Sequence, residues 1–541
     1  MNASCESGRD RDARAAAYIE IWQSRLAGVC DEMGAALRRA AYSPNIKERE
    51  DFSCALFSPD RELVGQAEHI PVHLGSMVAS VESALQAFPD MASGDQVIVN
   101  DPFAGGTHLN DVTLVCAARD DQGRLLGYVA NRAHHADIGG AVPGSLSATV
   151  VDSVAEGLCL PPIRAVRASE WDADVRAILL ANTRTPVERS GDLDAQWGAN
   201  RLGVRRLVEF AQRFGPDALE DAMHEVCDYS ERRMRVELAD VAARVTGPLE
   251  FSDVLEAADG ELVPVQVSIS IDERGLTADF AGTGAARPGV PSGVAAVTQA
   301  CLEFCARSVA DPDIPRNGGV SRALHLELPK GSVVDAEAPV PVGVGNIEAS
   351  QRIADVLLGA LAPAFPDKVG AASQGTMNNL LIGSAPGTPG RAFVYYETIG
   401  GGQGGRPHAP GQSGIHTAMT NTANTPVEAI EADFPITVER YGLRRGSGGD
   451  GANRGGDGIE RALLIQTDCI VTFLGQRRSR SPWGLAGGSD GASGEDTMTL
   501  PGRTPEPLGV LSTQEVPVGT RIVIGTPGGG GYGEPGSKIQ A

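Results

Sequence analysis

Glycine is concentrated in three segments of the last third of this chain, and this distribution constrains the fold more than any other feature. The segments are 400–405, 446–458 and 525–533, and they lie between stretches with regular apolar patterns. Such clusters are typical of ordered loops that need special backbone geometry or close backbone packing, not of flexible linkers. We therefore expect the C-terminal third to consist of strands joined by ordered glycine-rich turns.

Apolar spacing along the chain predicts a mixed fold of the α+β class. Steps of three or four residues, typical of helices, mark the segments 16–41, 195–243, 293–309 and 347–362. The adjacent Gly215 and Pro216 predict a break between two helices. Short apolar runs separated by turns predict strands over 52–162, 263–271 and 324–328.

The length of 541 residues exceeds the size at which one hydrophobic core keeps growing, so the chain is expected to be multi-domain. The patterns indicate sheet-rich N-terminal and C-terminal parts with a helical middle. We place an N-terminal α/β region with a helical end at 1–245, a central α/β region at 246–430 and a β-rich, glycine-rich region at 431–541.

Charge and cysteine usage restrict the class of protein. A formal net charge of −23, with no basic patch to reverse it, argues against binding to nucleic acid or to anionic membranes. The nine cysteines are dispersed and form no CxxC pair, as expected in a reducing compartment. There is no apolar signal segment and no run of about 18 apolar residues. We expect a cytoplasmic protein.

Histidine is clustered near the N-terminus, where five of the nine histidines fall within 69–135. Two motifs stand out, NDPFAGGTHLND at 100–111 and ANRAHHADIGG at 130–140. The five histidines are His69, His73, His108, His134 and His135.

The first motif places His108 three residues before Asp111, directly after a Gly-Gly turn. Imidazole with carboxylate suits Mn, Fe, Zn or Co, although an isolated pair of this kind more often forms a cap or a hydrogen bond. The strand LLGYVANRA is expected to run back beside the first motif and to supply a third ligand. Side chains alternate along a strand, so only one of His134 and His135 should join the pair.

Two other residues are weaker candidates. His73, in HIPVHLGSM, is suited to proton transfer, and the alternative is a buried histidine that is hydrogen-bonded to backbone. Glu156, in VAEGL, could contact substrate, and the alternative is an ordinary carboxylate at the edge of the core.

No nucleotide-binding loop is present in the sequence. The tail TPGGGGYG is not followed by Lys-Ser/Thr or by a helix, and GGGQGG at 400–405 lacks the strand-turn-helix setting of a dinucleotide site.

The chain resembles the hydantoinase B/oxoprolinase family over 10–535, which would form one unit of that type. The stretches that carry the resemblance include EMGAALRRAAYSPNIKEREDFSCALF (32–57), HIPVHLGSM (69–77), NDPFAGGTHLNDVTLV (100–115), YVANRAHHADIGGAVPGS (128–145), YYETIGGGQGGR (395–406), HTAMTNTANTPVEAIE (416–431) and TPGGGGYG (526–533).

The resemblance implies a divalent metal, with Zn, Mn or Fe as candidates, held by His108, Asp111 and His134. On this mapping His135 is not a ligand and remains a weak candidate for substrate binding, and Asp137 becomes a catalytic candidate beside His73. The resemblance also implies that ATP and Mg bind a hydantoinase A-like partner subunit, in an A2B2 or larger hetero-oligomer.

Three functions remain open. The first is ATP-dependent hydrolysis of a cyclic amide, such as a hydantoin, 5-oxoproline or a lactam, after phosphorylation by the A subunit. The second is ATP-dependent carboxylation of a ketone, although GGTHLND departs from the loop of acetone carboxylase. The third is a non-catalytic scaffold for the A subunit. The sequence favours the hydrolase.

Overall fold

The structure is a computed structural model that describes residues 8–68, 70–73, 75–388 and 390–537. Its N-terminal part is built on a seven-stranded antiparallel sheet with the strand order β2-β1-β5-β4-β3-β6-β7. The strands are β1 (Phe52–Phe57), β2 (Leu63–Glu68), β3 (Gln96–Val99), β4 (Asp111–Arg119), β5 (Leu125–His134), β6 (Ile163–Arg167) and β7 (Glu170–Trp171).

Apolar clusters cover both faces of this sheet, and its central strands β4 and β5 are buried along nearly their whole length. In β4, Val112 and Leu114 join one cluster, and Val115 and Ala117 join another on the opposite face. Helices pack around the sheet: α1 (Gly8–Ala40), α2 (Pro44–Lys47), α3 (Ser76–Ala87), α4 (Ala173–Ala181), α5 (Pro186–Phe214) and α6 (Pro216–Ala242).

The break between α5 and α6 confirms the one predicted from the sequence. Gly215 has φ of 92° between the two helices, a value that glycine adopts without strain, and Pro216 occupies the first turn of α6, where no backbone N–H is needed.

The middle of the chain forms a second sheet with the order β11-β10-β9-β8, in which β10 and β11 are parallel. Its strands are β8 (Leu249–Glu256), β9 (Leu262–Asp272), β10 (Gly275–Asp279) and β11 (Leu324–Glu327). Three helices accompany them, α7 (Ala295–Val309), α8 (Gly318–Ser321) and α9 (Ser350–Leu361). A single π-helical turn at Gly345–Ala349, which the sequence pattern does not predict, precedes α9.

The C-terminal part contains two antiparallel sheets that share an apolar cluster, with the orders β13-β12-β16-β19 and β14-β15-β20-β17-β18. The elements are β12 (Asn379–Ser384), β13 (Val394–Thr398), α10 (Val427–Asp433), β14 (Ile436–Arg444), β15 (Gly458–Ile465), β16 (Cys469–Leu474), β17 (Glu495–Thr499), β18 (Glu506–Pro507), β19 (Leu511–Val516) and β20 (Arg521–Gly525).

The three glycine clusters pack backbone against backbone beside these sheets. A Cβ on Gly402 would lie 2.1 Å from the oxygen of Gly456 and 2.2 Å from the nitrogen of Gly529. The Gly529 N–H donates to the Gly456 oxygen at 2.9 Å. Only glycine fits where backbone segments lie this close together. The ordered glycine-rich loops predicted from the sequence are therefore confirmed.

The α+β class with sheet-rich ends is confirmed. The division into three domains stays a prediction, and the sheet β13-β12-β16-β19 takes strands from both sides of the border placed at 430/431. Among the described residues, the helices are all too short or too polar to cross a lipid bilayer.

Candidate metal centre

The end of one strand pair brings the two histidine motifs together. Asp111 is the first residue of β4 and His134 is the last of β5, and the antiparallel register places them opposite each other. His108 lies in the turn before β4, where the Asp111 N–H donates to the His108 oxygen at 3.0 Å. The preceding turn is closed by the Gly106 N–H, which donates to the oxygen of Asp101 at 2.8 Å.

Three ligand atoms form a small triangle at this point. Asp111 Oδ1 lies 3.0 Å from His108 Nε2 and 3.3 Å from His134 Nδ1, and the two nitrogens are 3.1 Å apart. Bonds of about 2.0–2.2 Å to one cation place neighbouring ligand atoms about 3.0–3.4 Å apart. Asp111 Oδ1 is buried and accepts no hydrogen bond. The residues therefore fit a divalent cation.

The hydrogen bonds around the triangle orient its ligands. His108 Nδ1 lies 3.2 Å from the oxygen of Gly343 and carries the proton that this contact needs, so in the neutral ring Nε2 presents a lone pair. The second carboxylate oxygen, Asp111 Oδ2, accepts from Thr107 Oγ1 at 2.6 Å and from Asn346 Nδ2 at 3.2 Å.

Charge in the triangle is set by burial and by the neighbours. Burial opposes charge on Asp111, but the imidazoles of His108 and His73 hold its pKa well below the usual range. Burial also opposes charge on His108, and the Asp111 carboxylate outweighs it and raises the pKa. Burial lowers the pKa of His134. The centre thus combines an anionic carboxylate with at least one neutral imidazole, which is the ligand state that a metal requires.

A cavity of about 20 Å³ adjoins the triangle, which is room for about one water-sized group. His73 lines it, with Nε2 3.6 Å from Asp111 Oδ2 and Nδ1 3.0 Å from Ser53 Oγ. Asp51 and Tyr396 also line it, and the Tyr396 ring stacks on that of His134 at 5.0 Å.

Asp137 lies outside the triangle, although it is completely buried. Its Oδ2 accepts from Arg184 Nη1 at 2.9 Å and from the Gly144 N–H at 3.1 Å. Its Oδ1 accepts from the Arg184 N–H at 3.0 Å. The carboxylate therefore holds together the loop that follows β5.

His135 and Glu156 are buried and also lie outside the triangle. His135 Nε2 is 2.8 Å from Gln196 Oε1, and burial lowers its pKa to about 4. Glu156 accepts from the backbone N–H groups of Val342 and Gly343, and burial raises its pKa to about 7. Gly343 is also the partner of His108, so it connects Glu156 to His108 through the main chain.

Four residues of the centre are not evident from the sequence motifs, and they are Asp51, Thr107, Asn346 and Tyr396. Thr107 lies inside the first motif and could have been found there as a hydroxyl beside a ligand. Asn346 and Tyr396 follow the ligands by more than two hundred residues, and no local pattern relates them. His69, the fifth clustered histidine, lies outside the described residues.

The sequence matches the family described as Hydantoinase B/oxoprolinase over residues 16–535. The chain therefore belongs to the hydantoinase B/oxoprolinase family. It is 41% identical to an uncharacterized protein of Methanocaldococcus jannaschii, over 96% of this chain and 90% of the other.

Two further comparisons extend this finding. The chain is 35% identical to 5-oxoprolinase 1 of Arabidopsis thaliana over 95% of its own length, but it spans only 41% of that protein. Its structure is similar to the crystal structure of ATP-dependent caprolactamase from Pseudomonas jessenii, with a TM-score of 0.87 and 25% identity, over 95% of this chain and 90% of the other.

Proposed function

We propose that this chain is the metal-binding B subunit of an ATP-dependent hydrolase that opens a cyclic amide. The observation that carries the proposal is the buried triangle of ligand atoms from His108, Asp111 and His134, in which Asp111 Oδ1 has no hydrogen-bond partner. The names of the relatives support the substrate class, since 5-oxoproline and caprolactam are both cyclic amides.

The chain's own residues would bind the cation and handle protons. His108, Asp111 and His134 hold it, and Thr107 and Asn346 fix the carboxylate. A bound divalent cation, Zn, Mn or Fe, lowers the pKa of a coordinated water and polarises an oxygen of the substrate.

Two other side chains are placed to act on protons at this centre. His73 and the Asp51 carboxylate line the small cavity and are the proton acceptors that we propose. Asp137, whose oxygens are bound in the loop, has a positioning role. The narrow cavity keeps bulk water from an activated substrate.

ATP would bind a partner subunit of the hydantoinase A type. The sequence contains no phosphate-binding loop, and the plant 5-oxoprolinase is more than twice as long as the segment that this chain matches. An activity that is divided between two chains fits both facts. An A2B2 or larger cytoplasmic complex is part of the proposal.

The test is co-expression with an A subunit and measurement of phosphate release. The assay covers a hydantoin, 5-oxoproline, caprolactam and acetone, the last with and without bicarbonate. We expect release with one of the cyclic amides, loss of release after chelation, and loss in His108→Ala. The matched control is His224→Ala, at a partly exposed histidine outside the centre.

Two outcomes would contradict the proposal. Turnover that requires bicarbonate and a ketone would assign the carboxylase instead. Unchanged turnover in His108→Ala would leave only a scaffold role for this chain.

A further inference from the structure

A cleft of about 780 Å³ lies beside the metal centre, and the proposed function does not yet use it. It is enclosed by the segment 39–47, by the start of α5 and by β13. Tyr396 lines both this cleft and the small cavity, and Asn45, on the cleft wall, donates to the backbone oxygen of His134 at 2.6 Å. The cleft is large enough for a small cyclic amide, and the small cavity is not.

The wall of the cleft contains a buried guanidinium with unused donors. Arg189 is 3% exposed, and its Nη2 lies 2.9 Å from Asp192 Oδ2. Its Nε and Nη1 are buried and have no hydrogen-bond partner. Leaving such donors unpaired in the interior costs about 1–3 kcal/mol for each group, and more when the group is charged.

A buried hydroxyl that also lacks a hydrogen-bond partner lies near Arg189. Ser43 is 2% exposed, lines the cleft, and has an Oγ without a partner. The Ser43 N–H donates to Asp192 Oδ1 at 3.0 Å, which places Ser43 and Arg189 on the same carboxylate. Three unused donor groups thus belong to one part of the wall.

The charge of the lining favours an anion as well. Asp192 neutralises Arg189, and Arg391 pairs with Glu188. At the rim, Arg39 and Lys47 are exposed and form no ion pair with any described residue, whereas Asp433 is the remaining acidic residue of the lining. An excess of positive charge here contrasts with the net charge of −23 of the whole chain.

We propose that this cleft binds an oxyanion group of the substrate, held by Arg189 and Ser43, before the amide reaches the metal centre. Nε and Nη1 lie on different edges of the guanidinium, and each can donate a charge-assisted hydrogen bond to one oxygen of a carboxylate or of a phosphoryl group. The oxyanion has two sources, a carboxylate that belongs to the cyclic amide or the phosphoryl group that the partner adds. The inference rests on the proposed function, because it names the substrate class of the same site.

A second cleft, of about 390 Å³, also borders the metal cavity, through Thr420. Lys368, an exposed cation of its lining, already donates to the backbone oxygens of Val309 and Ala310 at 2.7 and 3.3 Å. The buried groups of its lining that have no hydrogen-bond partner, on His416, Thr417 and Trp483, include no guanidinium, which distinguishes this cleft from the Arg189 cleft.

The test is ligand binding to the full chain by calorimetry, without turnover. The probes are 5-oxoproline, 2-pyrrolidinone, which is the same ring without the carboxylate, and inorganic phosphate. We expect 5-oxoproline to bind at least about tenfold more tightly than 2-pyrrolidinone, the equivalent of about one charged hydrogen bond. In Arg189→Gln this preference should vanish while binding of 2-pyrrolidinone persists.

Controls keep the result decisive. Arg205→Gln, on the exposed face of the same helix, should change nothing. Arg189→Gln leaves Asp192 without its partner and could unfold the chain, so Ser43→Ala and Lys47→Gln are tested in parallel. Each of these two substitutions should weaken the binding of 5-oxoproline by about threefold or more.

Each pattern of binding has a meaning. Phosphate that binds through Arg189, with no preference between the two rings, assigns the phosphoryl source. The proposal is overturned if all probes bind with unchanged affinity to Ser43→Ala, to Lys47→Gln and to any folded Arg189 variant. Phosphate release with the A subunit is measured separately, so failure of the proposed function remains distinguishable.

Discussion

Asp111 and His134 are register partners across β4 and β5, so the main-chain pairing that builds the sheet also brings a carboxylate and an imidazole of the centre together. His135, one residue further on, contacts Gln196 instead. The alternation of side chains along an extended strand selects one histidine of the pair for the centre.

Replacement of His134 by alanine should remove the cation and leave the fold intact. We expect metal content to fall from about one per chain to below about 0.1, because two ligands hold a cation much less tightly than three. Elemental analysis of the purified chain measures this. His224→Ala should retain the metal, and equal metal content in both variants would exclude His134 as a ligand.

Thr107→Val tests the support of the carboxylate. The hydroxyl donates to Asp111 Oδ2 at 2.6 Å, and valine preserves the shape without the donor. Metal affinity should fall about 10–100-fold, as it does when outer partners of a ligand are removed. Competition with a chelating dye measures the affinity. Thr437→Val, which removes a hydroxyl that accepts from Gln466, is the control and should bind metal normally.

Asp137→Asn separates a positioning role from a catalytic one. The variant breaks a buried ion pair with Arg184 and should lower the free energy of unfolding by about 3 kcal/mol, with little change in metal content. Urea unfolding and elemental analysis report the two quantities. A variant of full stability that has lost all turnover would show that Asp137 takes part in the reaction.

Glu156 should make stability depend on pH. Its pKa is raised to about 7 in the folded chain, against an ordinary value of 4.5, so the folded state holds the proton more tightly than the unfolded state. The free energy of unfolding should therefore fall as pH rises from about 4.5 to about 7, by up to about 3 kcal/mol, and then level off.

The difference between the wild type and Glu156→Gln isolates this contribution, because other buried carboxyls are common to both proteins. Urea unfolding at intervals of half a pH unit measures it. Curves that stay parallel over the whole window would refute the assignment.

Gly402→Ala should strongly destabilise the glycine-rich packing. The added Cβ would meet the backbone of Gly456 and Gly529 at 2.1–2.2 Å, where no side chain can move aside. The free energy of unfolding is expected to fall by at least about 2 kcal/mol. Gly442→Ala has open space around its Cβ and should stay within about 0.5 kcal/mol of the wild type. Similar thermal shifts in both variants would contradict the close packing.

The sequence predicts those parts of the fold whose cause is local. Gly215 and Pro216 end and begin helices by their own backbone preferences, and the alternation over 263–271 sets the strand β9 (Leu262–Asp272). The glycine clusters likewise predict that backbone segments pack closely against each other. They do not predict which backbones meet, because the partners of Gly402, for example, come from the other two clusters.

The candidate site divides in the same way. His108 and Asp111 share one turn, and the return strand brings His134, so a pattern within 30 residues describes the triangle. Asn346 and Tyr396 reach it through tertiary packing alone. Asp137 follows a histidine pair, and its position in the sequence makes it a catalytic candidate. Its hydrogen-bond partners are Arg184 and loop N–H groups, which local spacing does not reveal.

The partners of the ligands have a consequence for how the chain matures. All three ligands lie within the first 134 residues, but His108 depends on Gly343, and the ring over His134 belongs to Tyr396. A nascent chain that has emerged only as far as β5 would carry every ligand without the chamber that encloses them. Assembly of the complete centre therefore requires the chain to extend at least as far as Tyr396.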